Sequence, residues 1–205
     1  MDYQRLKSDE VLLLKLLSSY HFLRLKYIHP IILESICSTQ AFMQDEIRSA
    51  REGDLVISRV QIKGRGREGR SWVSQKGGLW MTLTLRPPTL EVLGEIPLIA
   101  TESIAKTLGE FGLKGCIIKP PNDVFCHDKK IAGVLSDASV QGKRSIVCLG
   151  IGINVNNDPS ITETISNIAT SLAREIGMEV DLNRFTVSLL VNIDYIYDSA
   201  ISRKA

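Results

Sequence analysis

The chain has 205 residues, 44% of them hydrophobic and 23% charged, enough for one well-buried domain with at most a small appendage. Its formal net charge of +2 excludes a global field that would gather nucleic acid or an anionic membrane, so any cationic function must be local. Cys37, Cys116, Cys126 and Cys148 form no C-x-x-C pair, and His21, His29 and His127 show no metal-ligand spacing, so buried free thiols in a reducing compartment are expected.

"EVLLLKLLSSYHFLRL", from Glu10 to Leu25, is apolar enough to test as a targeting segment. Asp9 and Glu10 stand at its start, Lys15 interrupts it and no small-residue cleavage site follows, and it is too short to span a bilayer. An amphipathic packing helix in a cytoplasmic protein is the better reading. "IILES" (Ile31–Ser35) then reads as a short strand. "STQAFMQDEIRSA" has Ser38 or Thr39 as N-cap and apolar positions at helical spacing, which predicts a helix closing at "REGD". "LVISRVQ" and "LWMTLTLRP" carry the alternation and β-formers of strands.

Beyond Pro87-Pro88, "IPLIATESIAKTLGEF" sets Ile99, Ile104, Leu108 and Phe111 along one helical stripe, with Gly112 as a stop. Four short strands follow: "GCIIKP", "DVFC", "KIAGVLSDASV" and "SIVCLGIGINV". The polar turns "HDKK" and "QGKR" between them suit hairpins. Two helical patterns close the chain, "TISNIATSLAREIG" and "NRFTVSLLVNIDYIYDSA". Hairpins and helices in mixed order predict an α+β domain whose mixed, largely antiparallel sheet is flanked by helices.

Between two of those strands lies "VQIKGRGREGRSW", in which Arg65, Arg67 and Arg70 alternate with Gly64, Gly66 and Gly69. It satisfies G-x-G-x-x-G, but the dinucleotide fingerprint needs a helix after it, and here a strand follows. A solvated basic loop is the plain alternative. Against it, three arginines within six residues repel one another: at an effective dielectric of 20, unit charges about 4 Å apart interact by roughly 4 kcal/mol. A mobile cationic loop that takes up an anion is the functional reading.

"IIKPPND" ends an apolar strand on Lys119, which the following prolines hold extended, with Asn122 and Asp123 beside it. A rigid turn with an incidental lysine and a cation held ready for a phosphate or its magnesium are equally open here. "KKIAGVL" places Lys129 and Lys130 before Gly133, and "GIGINVN" sets Gly150 and Gly152 in a strand before Asn154. Such glycines mark bulges, or else a flat floor for a ligand ring.

Taken in order, "STQ", "Q-x-x-GRGREGRSW", "KPPND", "KKIAGVL", "GIGINVN" and "ATSL" resemble the catalytic domain of the biotin–protein ligases, from about Ile31 to the end of the chain. The resemblance implies the class II aminoacyl-tRNA-synthetase-like fold of biotin and lipoate ligases. It implies ATP and biotin as substrates with Mg2+, biotinyl-5′-AMP as intermediate, and transfer of biotin to a lysine of a biotin carboxyl carrier protein. Ser38, Thr39, Gln40, Gln61, Arg65, Gly66, Arg67, Lys119 and Gly133 would contact biotin. Arg65, Arg67, Arg70, Trp72, Asn122, Asp123, Lys130 and Asn154 would line the nucleotide side, with Asp123 the candidate metal contact. Lys119, Arg65 and Arg67 would be the catalytic cations.

Relative to the family pattern, Pro120 replaces a tryptophan, "STQ" replaces S-T-N and Cys37 stands where an acidic residue is usual. Residues 1–30 would be a helical extension too short for a winged helix, 31–205 the catalytic domain, and the family's C-terminal SH3-like barrel absent. A homodimer with no DNA or membrane partner is expected. Three rival readings are a degenerate relative that binds biotin without transferring it, suggested by Pro120 and the absent barrel, a lipoate–protein ligase with the same adenylate chemistry, and a nucleic-acid-binding domain that clamps phosphates with the Arg-Gly loop. The nucleic-acid reading lacks aromatics interleaved with the arginines, only Trp72 being close.

Overall fold

Strand β3 (Leu79–Leu85) is buried at all seven positions, so the sheet that holds it must be covered on both faces. The computed structural model describes residues 4–162, 165 and 167–204. It shows a seven-stranded sheet in the order β1-β2-β3-β7-β6-β5-β4. β1 (His29–Ile36) pairs with β2 (Asp54–Gln61) in parallel. The other pairings, through β3, β7 (Arg144–Ile153), β6 (Lys129–Gln141), β5 (Asp123–Cys126) and β4 (Ile117–Lys119), are antiparallel. The largely antiparallel sheet expected from the sequence is the one observed.

A parallel pair needs a crossover, and α2 (Thr39–Asp45) supplies it. Ser38 is its N-cap, accepting from Ala41 N. The helix stops at Asp45, shorter than the predicted run to "REGD". Beyond it the Ser49 hydroxyl donates to Glu46 O, and the Asp54 carboxylate accepts from Arg51 N, so local side chains replace the helical bonds.

The strands alternate cleanly between two faces. Met81, Leu83 and Leu85 of β3 and Leu149, Ile151 and Ile153 of β7 join the large core. Covering that core are α1 (Lys7–Leu17), α3 (Ile96–Glu110) and α5 (Leu182–Ser202). Ile99, Ile104 and Leu108 of the predicted α3 stripe are buried, Phe111 meets Phe185 edge-on at 5.0 Å, and Gly112 ends the helix at φ +94. The opposite face carries Thr82 and Thr84 of β3 beside Gly150 and Cys148 of β7, a small-residue surface under α2.

Both predicted hairpin turns form. His127 and Asp128 have φ of +46 and +63, the signature of the two-residue turn that matches strand twist, and Gly142 has φ +61. The glycine strand β7 pairs without a bulge, and the register shift lies instead in β5, between Val124 and Phe125. The predicted helix over "TISNIATSLAREIG" is reduced to α4 (Leu172–Ile176), with Thr164 and Ser166 outside the described residues. Lys130 N donates to Ile168 O and Thr170 N to Lys130 O, so this segment bonds as a strand edge to β6 before helix begins.

Asp194 of α5 is 3% exposed and accepts backbone hydrogen bonds from Leu23, Arg24 and Leu25 at 2.6–2.8 Å. It thereby ties the segment after α1 to the main core, and Leu25 is itself buried. Asp194→Ala would orphan three donors. It should lower the unfolding free energy by about 3 kcal/mol in urea titration, whereas Asp198→Ala nearby, a partly exposed ion-pair partner of Arg24, should cost about 1 kcal/mol or less.

Candidate active site

The small-residue face of the sheet opens into a cavity of about 390 Å³ between α2, the 62–78 loop and the β5–β6–β7 end of the sheet. Of the predicted site residues, Ser38, Thr39, Gln40, Gln61, Arg65, Gly66, Arg67, Arg70, Trp72, Asn122, Asp123, Lys130, Gly133 and Asn154 all line it. Lys119 does not.

At one end the start of α2 forms a connected polar network. Gln61 Oε1 accepts from Thr39 N at 2.8 Å and Thr39 Oγ1 at 3.1 Å, while its Nε2 donates to Ser74 Oγ at 2.9 Å. Gln40 Nε2 donates to Asp137 Oδ2 at 2.7 Å and to Cys148 O at 2.9 Å, and its Oε1 accepts from Thr82 Oγ1 at 3.2 Å. Gln44 Nε2 bonds to the same Asp137 oxygen. A buried network with each member paired is rigid, which suits recognition of a polar ligand head. Gly150 makes room for it, since a Cβ there would lie 2.5 Å from Gln40 Oε1. Burial and the Asp137 carboxylate push the neighbouring Cys148 thiol up to about 11, so it is an inert packing group.

The Arg-Gly loop folds back on itself. Trp72 N donates to Gly64 O, Gly66 N to Arg70 O, and the 67–69 stretch makes one turn with Glu68 and Gly69 at φ +58 and +73. Gly64 is required here, because a Cβ would stand 2.3 Å from Trp72 O. Arg70 pairs with Glu68 at 3.4 Å, but both are about 70% exposed, so the pair contributes at most about 1 kcal/mol. Arg67 donates to the Asn122 amide oxygen at 2.9 Å, a neutral partner that leaves its charge uncompensated. Among the described residues no side chain pairs with the Arg65 guanidinium. Two free positive charges therefore face the cavity.

Trp72 lies on the glycine floor expected to carry a ligand ring. A Cβ on Gly152 would sit 2.7 Å from its Nε1, and one on Gly133 3.0 Å from its ring. The floor is thus occupied by the protein's own indole, which becomes a wall of the cavity. Lys130 Nζ lies 5.1 Å from that ring and 2.7 Å from Asp123 Oδ1. Asp123 Oδ1 is buried and receives no aligned hydrogen bond among the described residues. Asn154 spends its amide on Thr170 O and Asn157, anchoring the 168–170 segment that closes this end.

Lys119 stands opposite Asp123 in the β4–β5 hairpin, beyond which Pro120–Pro121 is a cis peptide. Its Nζ lies 3.7 Å above the ring of Phe125, and Phe125 lines the cavity. It is therefore one ring away. An exposed cation–π contact is worth about 0.5–1 kcal/mol, little enough to be exchanged for an anion.

Several contributors had no signal in the sequence. Thr82, Gln44 and Asp137 come from three separate elements and meet only through the sheet. Ile165, Ile168 and Ala169 close the cavity from a stretch whose pattern reads as helix.

Residues 32–154 match the model of the biotin/lipoate A/B protein ligase family. The bifunctional ligase/repressor BirA of Bacillus subtilis is 36% identical over 158 residues, covering 75% of this chain and 49% of that protein. The biotin–[acetyl-CoA-carboxylase] ligase of Paracoccus denitrificans is 34% identical over 136 residues, covering 63% of this chain and 57% of that one. The chain spans about half the length of these curated relatives. A biotin protein ligase from Aquifex aeolicus, solved with biotin and ATP, superposes with TM-score 0.74 at 34% identity, covering 84% of this chain and 72% of that one.

The indole position can be tested directly. Gly152→Ala should displace Trp72, shift its fluorescence against that of the buried Trp80, and cost about 1–3 kcal/mol of stability by overpacking. An unchanged emission spectrum would contradict the contact.

Proposed function

Because the chain belongs to the biotin/lipoate A/B protein ligase family, we propose that it activates biotin with ATP to biotinyl-5′-AMP and passes biotin to one lysine of a biotin carboxyl carrier protein. The observation that carries this reading is the pair of uncompensated guanidinium groups, Arg65 and Arg67, on the wall of a cavity that has a rigid amide–hydroxyl network at one end. The Aquifex ligase solved with biotin and ATP supports the choice of substrates.

The first step brings two anions together. A biotin carboxylate oxygen attacks the α-phosphorus, an O–P bond forms, and the bond to pyrophosphate breaks with pyrophosphate leaving. Arg65 and Arg67 offset the mutual repulsion, and they do so more strongly once the loop excludes water. No protein nucleophile takes part, consistent with a cavity lined by amides and cations rather than by a Ser-His or Cys-His pair. In the second step the carrier amine attacks the acyl carbon and AMP leaves. The mixed anhydride is sensitive to water, so the 62–78 loop keeps it covered between steps.

Thr39, Gln40 and Gln61 sit at the end suited to the biotin head, and Trp72, Asn122, Asp123, Lys130 and Asn154 at the nucleotide end. Asp123 would hold Mg2+ delivered with the nucleotide once Lys130, whose Nζ lies 2.7 Å from its buried Oδ1, turns to the phosphates; Mg2+ is commonly held by one or two carboxylates plus phosphates. When bound, the ion supplies charge neutralisation at the phosphates. Lys119 reaches the reacting groups by leaving the Phe125 ring. The reading includes a catalytic domain over 31–205, a homodimer, a cytoplasmic location and no DNA partner. Among the described residues no helix is long and apolar enough to cross a membrane.

Incubation with α-labelled ATP and biotin, with and without a carrier domain, tests both steps. Adenylate without carrier and labelled carrier with it are the expected results; no adenylate would reject the reading, and tighter lipoate than biotin binding by calorimetry would change the acid. Lys119→Ala should slow adenylate formation by about 10²–10³ with normal folding, and near-wild-type turnover would remove Lys119 from the reaction. Arg67→Ala should speed escape of adenylate to solvent about 10-fold or more, as expected for loss of a charged hydrogen bond. Equal leakage from both proteins would contradict closure of the loop.

A further inference from the structure

Behind the β5–β6 turn, on the far side of Phe125 and Lys130 from the cavity, three metal-binding groups converge. Cys126 Sγ is 3.5 Å from His127 Nδ1, and His127 Nδ1 is 2.8 Å from Glu175 Oε2. These donor atoms all lie within 4.8 Å of one another. Cys116 precedes Ile117, the ladder partner of Phe125, and so stands near Cys126 across the β4–β5 pair; it lies outside the 4.8 Å group, and both cysteines are free thiols.

We infer that Cys126, His127 and Glu175, with Cys116 as fourth donor, form a structural site for a zinc-class divalent ion. The distances among the first three donors suit it, and Cys116 would have to swing in to complete the set. Zinc bonds of about 2.3 Å to sulfur and about 2.0 Å to nitrogen at a tetrahedral angle place those two ligands about 3.5 Å apart. The carboxylate, now closer because it hydrogen-bonds to the imidazole, needs to retreat by only about half an ångström. Two cysteines, a histidine and a carboxylate are donors that zinc accepts in a closed site.

The surroundings are those of a built site. The second oxygen of Glu175 is held by the Thr170 hydroxyl, which fixes the carboxylate as outer partners of metal ligands do. His127 occupies a turn with φ +46 that turns its ring back toward Cys126, and the ring is 69% exposed, leaving an entry path. Two thiolates and a carboxylate would exceed the ion by one negative charge, and Lys129 lies close enough to Glu175 to offset it. The ion would join the β5–β6 turn to α4 and so clamp residues 168–170 onto Lys130, bracing the cavity's nucleotide end from behind. The site does not depend on which acid or nucleotide the cavity takes.

The test uses the full chain, stripped with chelator, kept in reductant and titrated with Co2+ alone. The expected result is one equivalent per chain, with thiolate-to-cobalt charge-transfer absorption and the intense visible bands of tetrahedral cobalt, all displaced by Zn2+. His127→Asn retains the turn, since asparagine tolerates positive φ, and should weaken Co2+ binding by at least about 10-fold while circular dichroism stays unchanged. Zn2+ should raise Tm of the native chain and not that of His127→Asn. Cys126→Ser should abolish the charge-transfer band, and Cys116→Ser should reduce it by roughly half. Absence of saturable binding, or identical affinity in His127→Asn, would overturn the site; a band unaltered in Cys116→Ser would overturn its assignment as fourth donor.

Discussion

The contact on which the rest of the candidate site depends is the indole of Trp72 lying on bare backbone at Gly133 and Gly152. A Cβ at Gly152 would collide with it, and one at Gly133 would press on it at 3.0 Å. This contact pins the middle of the 62–78 loop, just after its arginines, to β6 and β7, so the arginines hang over the cavity from a defined point. It also sets the cavity's depth, because the ring fills the floor that two glycines would otherwise leave open. Lys130 beside the ring and Asp123 beside Lys130 then follow in a short chain of contacts.

Charge is distributed with the same economy. The chain is almost neutral overall, and most of its arginines outside the loop stand against carboxylates, such as Arg59 with Asp9 and Arg24 with Asp198. Arg65 and Arg67 depart from that pattern: one has no carboxylate among the described residues, and the other has an amide. Local cationic character thus arises less from adding positive groups than from withholding partners. The polar end differs in kind. There the amides and hydroxyls already satisfy one another, so a ligand meets a preset arrangement and little reordering is required.

Much of this was legible in the sequence because its signals are local. Ser38 capping α2, the β-rich run that became β3, the stripe on α3 and the two-residue turns at His127–Asp128 and Gly142–Lys143 each depend on neighbours within a few residues. Fourteen of the fifteen candidate site residues line one cavity, since the motifs sit at strand ends and turns that the sheet order brings to one side. What was not legible depends on tertiary bonds. The helix expected before α4 lost to backbone bonding with Lys130, an outcome set nearly forty residues away. Asp137 entered the network from mid-strand, and Lys119 turned to an aromatic neighbour that nothing in "IIKPPND" announces. Cys126 and His127 looked unremarkable until α4 brought Glu175 beside them.

The sheet order has a kinetic consequence. β4 to β7 form a run of adjacent hairpins that can zip up from near neighbours, as can β1 to β3 with their short crossover. The seam between the two groups, β3 against β7, pairs Leu79 with Ile153 and Leu85 with Val147 across a long loop of chain. Closing that loop costs entropy before any contact rewards it. That cost makes the seam the expected late event in assembly, and it is the one that brings Gly152 of β7 beneath Trp72 and completes the cavity from residues of both groups.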